Sequence, residues 1–286
     1  MTTNRAMHAT AKPTLCDSTP AETGTRISAR QLAALLRISV DDQPIVASVY
    51  FTTRRVHQAE SLFRAGDAFQ SLYVVRSGVM KTISLDESGA EQVMAFPMRG
   101  DAIGADGIAS GRYASEAIAL ESSEVIVVPL ATIRRFAREC PSLEHLAFQL
   151  ISRAIVQEQA LLCIMGTLGA EGRVAAFLLA LSEQMGALGY SRSSLVLRMT
   201  RQEIGSYLGL QLETVSRAFS AFAAAGLIRA NLKQIDILDA AGLRRVGHEP
   251  VTVPQRAHAA RVGASSKHRT PVTPRTLQSM FPFAVA

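Results

Sequence analysis

One short segment, Thr200–Arg217, constrains the fold of this chain more than any other, because it predicts two short helices around a tight turn. Thr200 and Glu203 have the spacing of a capping box, so the first helix is expected to start directly after Thr200. Gly209 predicts the break that follows this helix. The second helix is expected to run over 212–224.

The predicted second helix has an apolar face and a polar face. The apolar residues recur at spacings of three and four and are expected to face a core: Leu212, Val215, Phe219 and Phe222. The opposite face carries Glu213, Ser216, Arg217 and Ser220. An exposed polar helix after a tight turn is typical of the helix-turn-helix, which places its second helix in the major groove of DNA.

The polar face offers the chemical groups that base edges require. A guanidinium such as that of Arg217 spans O6 and N7 of guanine, and a carboxylate such as that of Glu213 accepts from N4 of cytosine. A hydroxyl such as that of Ser216 serves either thymine or adenine. The alternative is that Glu213 and Arg217 form only a solvated ion pair along the helix. Phosphate contacts, which position the domain without reading sequence, are predicted for Thr200, Arg201 and Gln202.

Composition narrows the class of protein. The chain has 286 residues, enough for two domains, and its net charge of +6 suits a polyanionic partner. No apolar run has the length of a membrane span or a signal peptide, so we expect a cytoplasmic protein without membrane contact. The three cysteines, which are far apart and form no metal-binding pair, are Cys16, Cys140 and Cys163. Without a Ser/His/Asp arrangement, metal-ligand cluster or phosphate loop, we expect no catalytic or metal-binding residue and no enzyme.

The first half of the chain divides into a tail and a β-rich domain. Residues 1–27 are rich in Thr, Ala and Pro without periodicity and are predicted to be a disordered tail. Residues 28–140 are predicted to form one domain, since short apolar runs alternate there with turn residues. The predicted strands cover 71–75, 79–85, 91–96, 116–120 and 124–128. A compact antiparallel barrel or roll is the expected architecture.

A long helix is predicted over 141–169, where the apolar pattern changes to a helical period. The residues that step by four and three, the spacing of a coiled-coil seam, are Ile151, Ile155, Glu158, Leu162 and Met165. We predict that this helix joins two copies of the chain. Two Glu158 carboxylates in the seam would repel, and our hypothesis is that this weakens the dimer enough for a signal to control it. The alternative is that Glu158 bends outward or pairs with Arg153.

The C-terminal part is predicted to be a winged helix-turn-helix domain over 170–248, followed by a tail. A helix over 171–188 and a strand over 195–199 precede the motif, and short strands after Gly226 pair as a wing. Residues 249–286 are rich in Pro, Ser, Thr and Ala with scattered Arg and Lys, so we predict a disordered basic tail. That tail either adds nonspecific DNA affinity or is dispensable.

The order of β-roll, long helix and winged helix-turn-helix resembles the CRP/FNR superfamily of bacterial transcription regulators. The motifs that carry the resemblance are Leu62–Asp67, Leu72–Gly78, Gly100–Gly104, Met199–Gly205 and Tyr207–Arg217, the last two similar to the FNR branch. The resemblance implies an α+β fold with an N-terminal cyclic-nucleotide-binding-type β-roll, a long dimerisation helix and a C-terminal winged helix-turn-helix. It also implies a homodimeric activator with double-stranded DNA and RNA polymerase as partners. Its DNA sites would be similar to TTGAT facing ATCAA across a four-base gap.

Two departures from the family pattern bear on the cofactor. Cyclic-nucleotide binders of this fold place a Glu and an Arg where this chain has Ala105 and Ala114, so the phosphate would lack its cation and we expect no cyclic AMP binding. Oxygen sensors of the FNR type hold a 4Fe–4S cluster on four cysteines. This chain has only Cys16 in its N-terminal tail and Ile126 at the β-roll ligand position. We therefore expect no iron–sulfur cluster and no other required cofactor.

Other interpretations stay open at this point. A regulator of the same superfamily gated by haem or another small molecule is the first alternative, with His57 as the candidate haem ligand or else a surface histidine. Cys140 and Cys163 are candidate redox switches, although Cys163, beside the seam, is otherwise expected to be buried. An enzyme that uses the β-barrel as its pocket is the more remote alternative.

Overall fold

The N-terminal part of the chain is a β-roll built from two antiparallel sheets. The structure is a computed structural model that describes residues 24–38, 49–85, 89–139 and 141–246. The strands are β1 (Arg26–Ser28), β2 (Tyr50–Val56), β3 (Ser61–Phe63), β4 (Ser71–Ser77), β5 (Met80–Leu85), β6 (Glu91–Ala95), β7 (Ala102–Ile103), β8 (Glu116–Ala119) and β9 (Ser123–Pro129). One sheet has the order β1-β2-β9-β4-β7 and the other the order β3-β8-β5-β6, which leaves β6 at an edge. The accompanying helices are α1 (Ala29–Leu35), α2 (Gly107–Ser110) and α3 (Leu130–Glu139).

The strands form where apolar runs lie between turn residues, as the sequence predicted. β4 and β9 pair in the middle of the five-stranded sheet, with Tyr73 opposite Val127. Val74 and Ile126, one step further along, are completely buried. The five predicted strands are confirmed, and their bounds differ from the prediction by no more than two residues.

Two long helices follow the β-roll, α4 (Pro141–Thr167) and α5 (Ala170–Ala187). The predicted long helix is thereby confirmed, except that Gly169 is the N-cap of α5 and not the end of α4. Leu150 of α4 is buried in the β-roll core. Ile164, near the other end of α4, packs with Ala176 of α5. α4 therefore links the β-roll to the C-terminal domain through apolar contacts at two places along its length.

The C-terminal domain is a winged helix-turn-helix. Its elements are β10 (Ser194–Val196), α6 (Arg201–Leu208), α7 (Leu212–Ala224), β11 (Ile228–Asn231), β12 (Gln234–Ile237) and α8 (Ala240–Val246). The sheet order is β10-β12-β11, so β11 and β12 form the predicted wing. Ile204, Val215 and Phe222 are completely buried between the helices. Gly209 ends α6 in the left-handed conformation, with φ of 64°, which makes the predicted break.

Some predicted details are wrong. Leu212, predicted to face the core, is 42% exposed, because it is the first residue of α7 and its side chain lies at the helix end. Arg26 and Ile27, assigned to the N-terminal tail, form β1, where Ile27 is buried opposite Phe51 of β2. Three residues contain too short an apolar pattern to predict such a strand.

Several predictions fall on parts of the chain that the structure does not describe. Residues 1–23 of the predicted N-terminal tail, which include Cys16, lie outside the described residues, as do Cys140 and the C-terminal tail 249–286. Within the residues that are described, no helix is both long enough and apolar enough to cross a membrane.

Gly205 of α6 lies so close to the turn after this helix that an added side chain should lower stability. Gly205→Ala is expected to lower the free energy of unfolding by about 1–3 kcal/mol, because the added Cβ would overpack the site. It would lie 2.6 Å from the carbonyl oxygen of Leu210. Denaturation followed by circular dichroism measures the change. Gly166→Ala is the control, since a Cβ at this helical glycine meets nothing within 4 Å. Equal effects of the two substitutions would contradict the prediction.

Candidate nucleic-acid interface

The polar face of α7, the recognition helix, is open to solvent. The exposed residues on this face are Glu213, Ser216, Arg217 and Ser220. Val215, Phe219 and Phe222 on the other face are buried in the core of the domain. The structure thus brings the three predicted base-reading residues together on one exposed surface. The buried face fixes the helix, so these side chains are presented from a rigid base.

The Arg217 guanidinium keeps donors free for a ligand. Its Nε donates to the backbone carbonyl oxygen of Glu213 at 3.4 Å. Among the described residues, no ion pair joins Arg217 to the Glu213 carboxylate, which was the alternative to base readout. Ser220 instead donates its hydroxyl to the Ser216 carbonyl oxygen at 3.1 Å. Arg217 therefore keeps more hydrogen-bond donors for a ligand than Ser220 does, since a guanidinium has five N–H groups and a hydroxyl has one.

The first turn of α6 is held by the predicted capping box. The Glu203 amide donates to Thr200 Oγ1 at 3.1 Å, and the Thr200 amide donates to Glu203 Oε2 at 2.7 Å. Burial acts to raise the pKa of Glu203, but the Thr200 amide and the Lys81 ammonium outweigh it, so the pKa lies below its ordinary value. Gln202 is exposed beside this turn. The phosphate contacts of Thr200 and Gln202 stay predictions.

Arg201 has an internal contact that the sequence did not reveal. Its guanidinium carbon lies 3.1 Å from the centre of the Phe219 ring, so the side chain packs α6 onto the recognition helix. Burial lowers the pKa of Arg201 to about 10. Its Nη1 is buried, with no hydrogen-bond partner among the described residues. Arg201 therefore stabilises the packing of the two helices of the motif. Its phosphate contact stays a prediction.

Arg173 joins the long helix to the helix-turn-helix, and sequence analysis missed it. Its Nη2 donates to the Met165 carbonyl oxygen at 2.7 Å and its Nε to that of Leu168 at 3.0 Å. Its Nη1 donates to the Leu208 carbonyl oxygen at 3.1 Å. The carbonyls of a helix end lack helical partners and carry partial negative charge, so one guanidinium stabilises the ends of both α4 and α6. In the sequence, Arg173 is one charged residue in an amphipathic helix, with no signal of these partners.

One face of α4 presents an apolar row to solvent. Phe148, Ile155 and Leu162 are 62%, 48% and 67% exposed, and Glu158 is exposed in the same row. The other two predicted seam residues, Ile151 and Met165, are half-buried. Cys163, next to the row and expected to be buried, is exposed. Phe148 was not predicted, although it continues the same spacing towards the N-terminus of α4. The seam and the redox role of Cys163 stay predictions.

A cavity of about 470 Å³ lies between the β-roll, α4, α5 and α6. The polar groups of its lining include Asp101, Gln157 and Gln184, and its apolar groups include Phe96 and Leu161. Ala105 and Ala114, the two positions at which the sequence was predicted to depart from nucleotide binders, also line it. His57 is exposed in the turn between β2 and β3 and is not part of this lining. The cavity could hold a small molecule, but neither alanine supplies a charge to it.

Comparison with known proteins decides the family. A cyclic nucleotide-binding domain matches residues 53–140, and a Crp-like helix-turn-helix domain matches residues 172–246. The transcriptional regulatory protein Btr of Bordetella pertussis is 43% identical over 196 residues, which span 68% of this chain and 81% of Btr. The transcriptional activator protein Anr of Pseudomonas aeruginosa is 36% identical over 204 residues, or 71% of this chain and 84% of Anr. The chain belongs to the CRP/FNR family of transcription regulators.

The fold of a CRP/FNR regulator is also seen in a solved structure. FixK2 from Bradyrhizobium japonicum matches with a TM-score of 0.63 and 24% identity, covering 74% of this chain and 100% of that one. The predicted architecture of a β-roll, a long helix and a winged helix-turn-helix is therefore confirmed. The similar CRP/FNR proteins are transcription regulators, so the interpretation of the β-barrel as an enzyme pocket is set aside.

The lowered pKa of Glu203 makes stability depend on pH in a defined direction. A carboxyl whose pKa is lowered in the folded state stabilises the fold at pH values above its ordinary pKa of 4.5. This stabilisation is lost as the pH falls through the lowered pKa. Glu203→Gln keeps the shape of the side chain and removes its charge. The difference in unfolding free energy between wild type and Glu203→Gln should be constant near pH 7 and shrink below about pH 4.5. Denaturation curves across this range measure it, and a difference that persists unchanged at pH 3 would contradict the assignment.

Proposed function

We propose that this protein is a cytoplasmic transcription activator that binds DNA as a homodimer and acts with RNA polymerase. One observation carries the proposal: a recognition helix with an exposed Glu213, Ser216 and Arg217 stands on a buried core. The exposed apolar row on α4 supports the homodimer, since such a face is stabilised by burial against a second copy. The similarity to Anr, a transcriptional activator protein, supports the sign of regulation.

The proposed operator is a palindrome with half-sites similar to TTGAT and ATCAA across a four-base gap. A symmetric dimer presents two recognition helices, and each reads one half-site. No cofactor is required in this proposal, because Ala105 and Ala114 supply no charged contact for a nucleotide and Ile126 is buried at the cluster-ligand position. Fluorescence anisotropy of the aerobically purified protein on this palindrome and on a scrambled duplex tests the proposal. Equal affinity for the two duplexes would contradict the proposed operator.

Arg217→Ala tests the base contact. We expect a loss of about 1–3 kcal/mol of discrimination per half-site, because the guanidinium is assigned to O6 and N7 of guanine. The dissociation constant for the palindrome should rise, while that for the scrambled duplex changes little. Arg64→Ala in the β-roll, where the side chain is 74% exposed, removes the same charge and is the control. Equal losses of Arg217→Ala on both duplexes would make Arg217 a phosphate contact.

Glu158→Ala tests the hypothesis that carboxylate repulsion weakens the dimer. Two exposed carboxylates about 4 Å apart in water repel by about 1 kcal/mol, so the substitution should tighten the dimer several-fold. Sedimentation equilibrium measures the dimer dissociation constant. Leu162→Ala, at a 67% exposed apolar position of the same row, should weaken the dimer instead. An unchanged constant for Glu158→Ala would end the hypothesis, and an unchanged constant for Leu162→Ala would place the dimer contact elsewhere.

A regulator gated by a small molecule is the second candidate, and the cavity favours it. Its volume of about 470 Å³ and its mixed lining are typical of ligand sites. For haem, the test is the absorption spectrum of the purified protein. A Soret band that survives gel filtration would support haem gating. Its absence after expression with excess haem would exclude haem, and a search for other ligands would then start from the cavity.

A further inference from the structure

The β5–β6 hairpin of the β-roll packs directly on α6 of the helix-turn-helix. Lys81 Nζ of β5 lies 3.0 Å from Glu203 Oε1, and the two side chains are only 14% and 18% exposed. The other carboxylate oxygen of Glu203 accepts from the Thr200 amide in the capping box. One carboxylate therefore both starts α6 and binds it to the β-roll. Low exposure protects this pair from the solvent screening that weakens surface ion pairs.

Ser206, about one turn further along α6, binds the outer edge of β6. The Val93 amide donates to Ser206 Oγ at 2.8 Å, and this hydroxyl donates to the Glu91 carbonyl oxygen at 3.2 Å. The Gln92 side-chain amide donates to the Ser206 carbonyl oxygen. An edge strand leaves a row of backbone groups unpaired by its own sheet, and here a helix pairs with part of that row.

Apolar contacts complete the same interface. Phe96, directly after β6, has its ring centre 5.2 Å from that of Tyr207 on α6, and both rings contact Phe177 of α5. Val79 and Met98, next to the hairpin, are buried in the core of the C-terminal domain. Ion pair, backbone hydrogen bonds and aromatic packing constrain α6 along its length, so its direction relative to the β-roll is fixed.

We propose that the β5–β6 hairpin sets the direction of the recognition helix in the dimer, with Lys81 and Ser206 as positioning residues for operator binding. α6 and α7 move as one unit, because Arg201 packs on Phe219 and α6 closely approaches the turn at Gly205. Holding α6 therefore holds the base-reading face. This inference rests on the proposed dimeric DNA binding.

The expected consequence appears only when two half-sites are read together. Two recognition helices must reach half-sites about 34 Å apart, so a change in their direction disturbs simultaneous binding. Each helix alone still fits one half-site. A loosened hairpin contact reduces the effective concentration of the second recognition helix at its half-site.

The experiment compares a full palindrome with a duplex in which one half-site is scrambled. For the double variant Lys81→Gln with Ser206→Ala, the preference for the full site should fall about tenfold or more. The dissociation constant for the single half-site should change less than about twofold. Anisotropy measures all four constants. Equal loss on both duplexes, or no loss on either, would overturn the proposal.

Two further variants separate positioning from general stability. Arg76→Gln removes the ion pair to Glu124, which measures 2.9 Å but lies within the β-roll, and should leave the full-site preference unchanged. The single variant Lys81→Arg keeps a cation beside Glu203 and should retain the preference for the full site. A full-site loss in Arg76→Gln as large as in the double variant would also overturn the proposal, because any weakening of the β-roll would then suffice.

A measurement without DNA distinguishes failure of this inference from failure of the proposed function. Spin labels at Gln58 of the β-roll and Ala223 of α7, both exposed, report the distance within one protomer. The native cysteines are replaced by serine, and labelled chains are diluted with unlabelled ones. The distance distribution should be narrow in this background and broad once the double variant is added. An equally narrow distribution would overturn the inference even if the palindrome is bound. Broadening in a protein that ignores the palindrome would support the hairpin contact and contradict the proposed operator.

Discussion

The apolar core beneath the recognition helix extends into the β-roll, and the position of every side chain on the exposed face of that helix depends on it. Phe222 and Val215 of α7 are completely buried, and the same core includes Val79 and Met98 from the N-terminal half. Interfaces between domains are usually more polar than this and allow relative motion. Here, separating the halves would expose buried apolar side chains to water, which costs free energy. The orientation of the DNA-binding domain is thus part of the fold.

The carboxylate of Asp101, a half-buried residue, tightens this arrangement further. Asp101 accepts hydrogen bonds from the Met98 amide at 2.9 Å, from Gln184 Nε2 at 3.0 Å and from Gln157 Nε2 at 3.3 Å. Burial raises the pKa of Asp101, and these donors oppose that shift. The two glutamines belong to α5 and α4. A movement of either helix away from the β-roll would deprive this half-buried carboxylate of a donor, which costs free energy. Asp101 therefore couples the β-roll, α4 and α5, three of the parts of the fold that line the cavity.

The sequence predicts the parts of this molecule whose causes are local. The capping pair Thr200 and Glu203 and the break at Gly209 lie within one short segment, so the residue pattern alone is enough to locate the helix-turn-helix. Arg173 and Lys81 could not be assigned, because each is a single charged residue with a partner far away in sequence, Leu208 for Arg173 and Glu203 for Lys81. The exposure of Leu212 could not be predicted from the sequence pattern either. Periodicity identifies a helix face but does not show where neighbouring elements end.

The same limit explains why the row on α4 was predicted and the contact of α4 with Asp101 at the cavity was not. Ile155 and Leu162 follow a repeating spacing, whereas Gln157 reaches Asp101 through a fold-dependent contact. The two sets lie on different faces of one helix, so a shift that changes the Gln157 contact also moves the apolar row. In the proposed dimer, this joins the cavity to the seam mechanically. A ligand in the cavity would alter DNA binding only through different affinities for two positions of α4 or of the β5–β6 hairpin. The identity of such a ligand would thus be constrained by the Asp101 contacts that it strengthens or replaces.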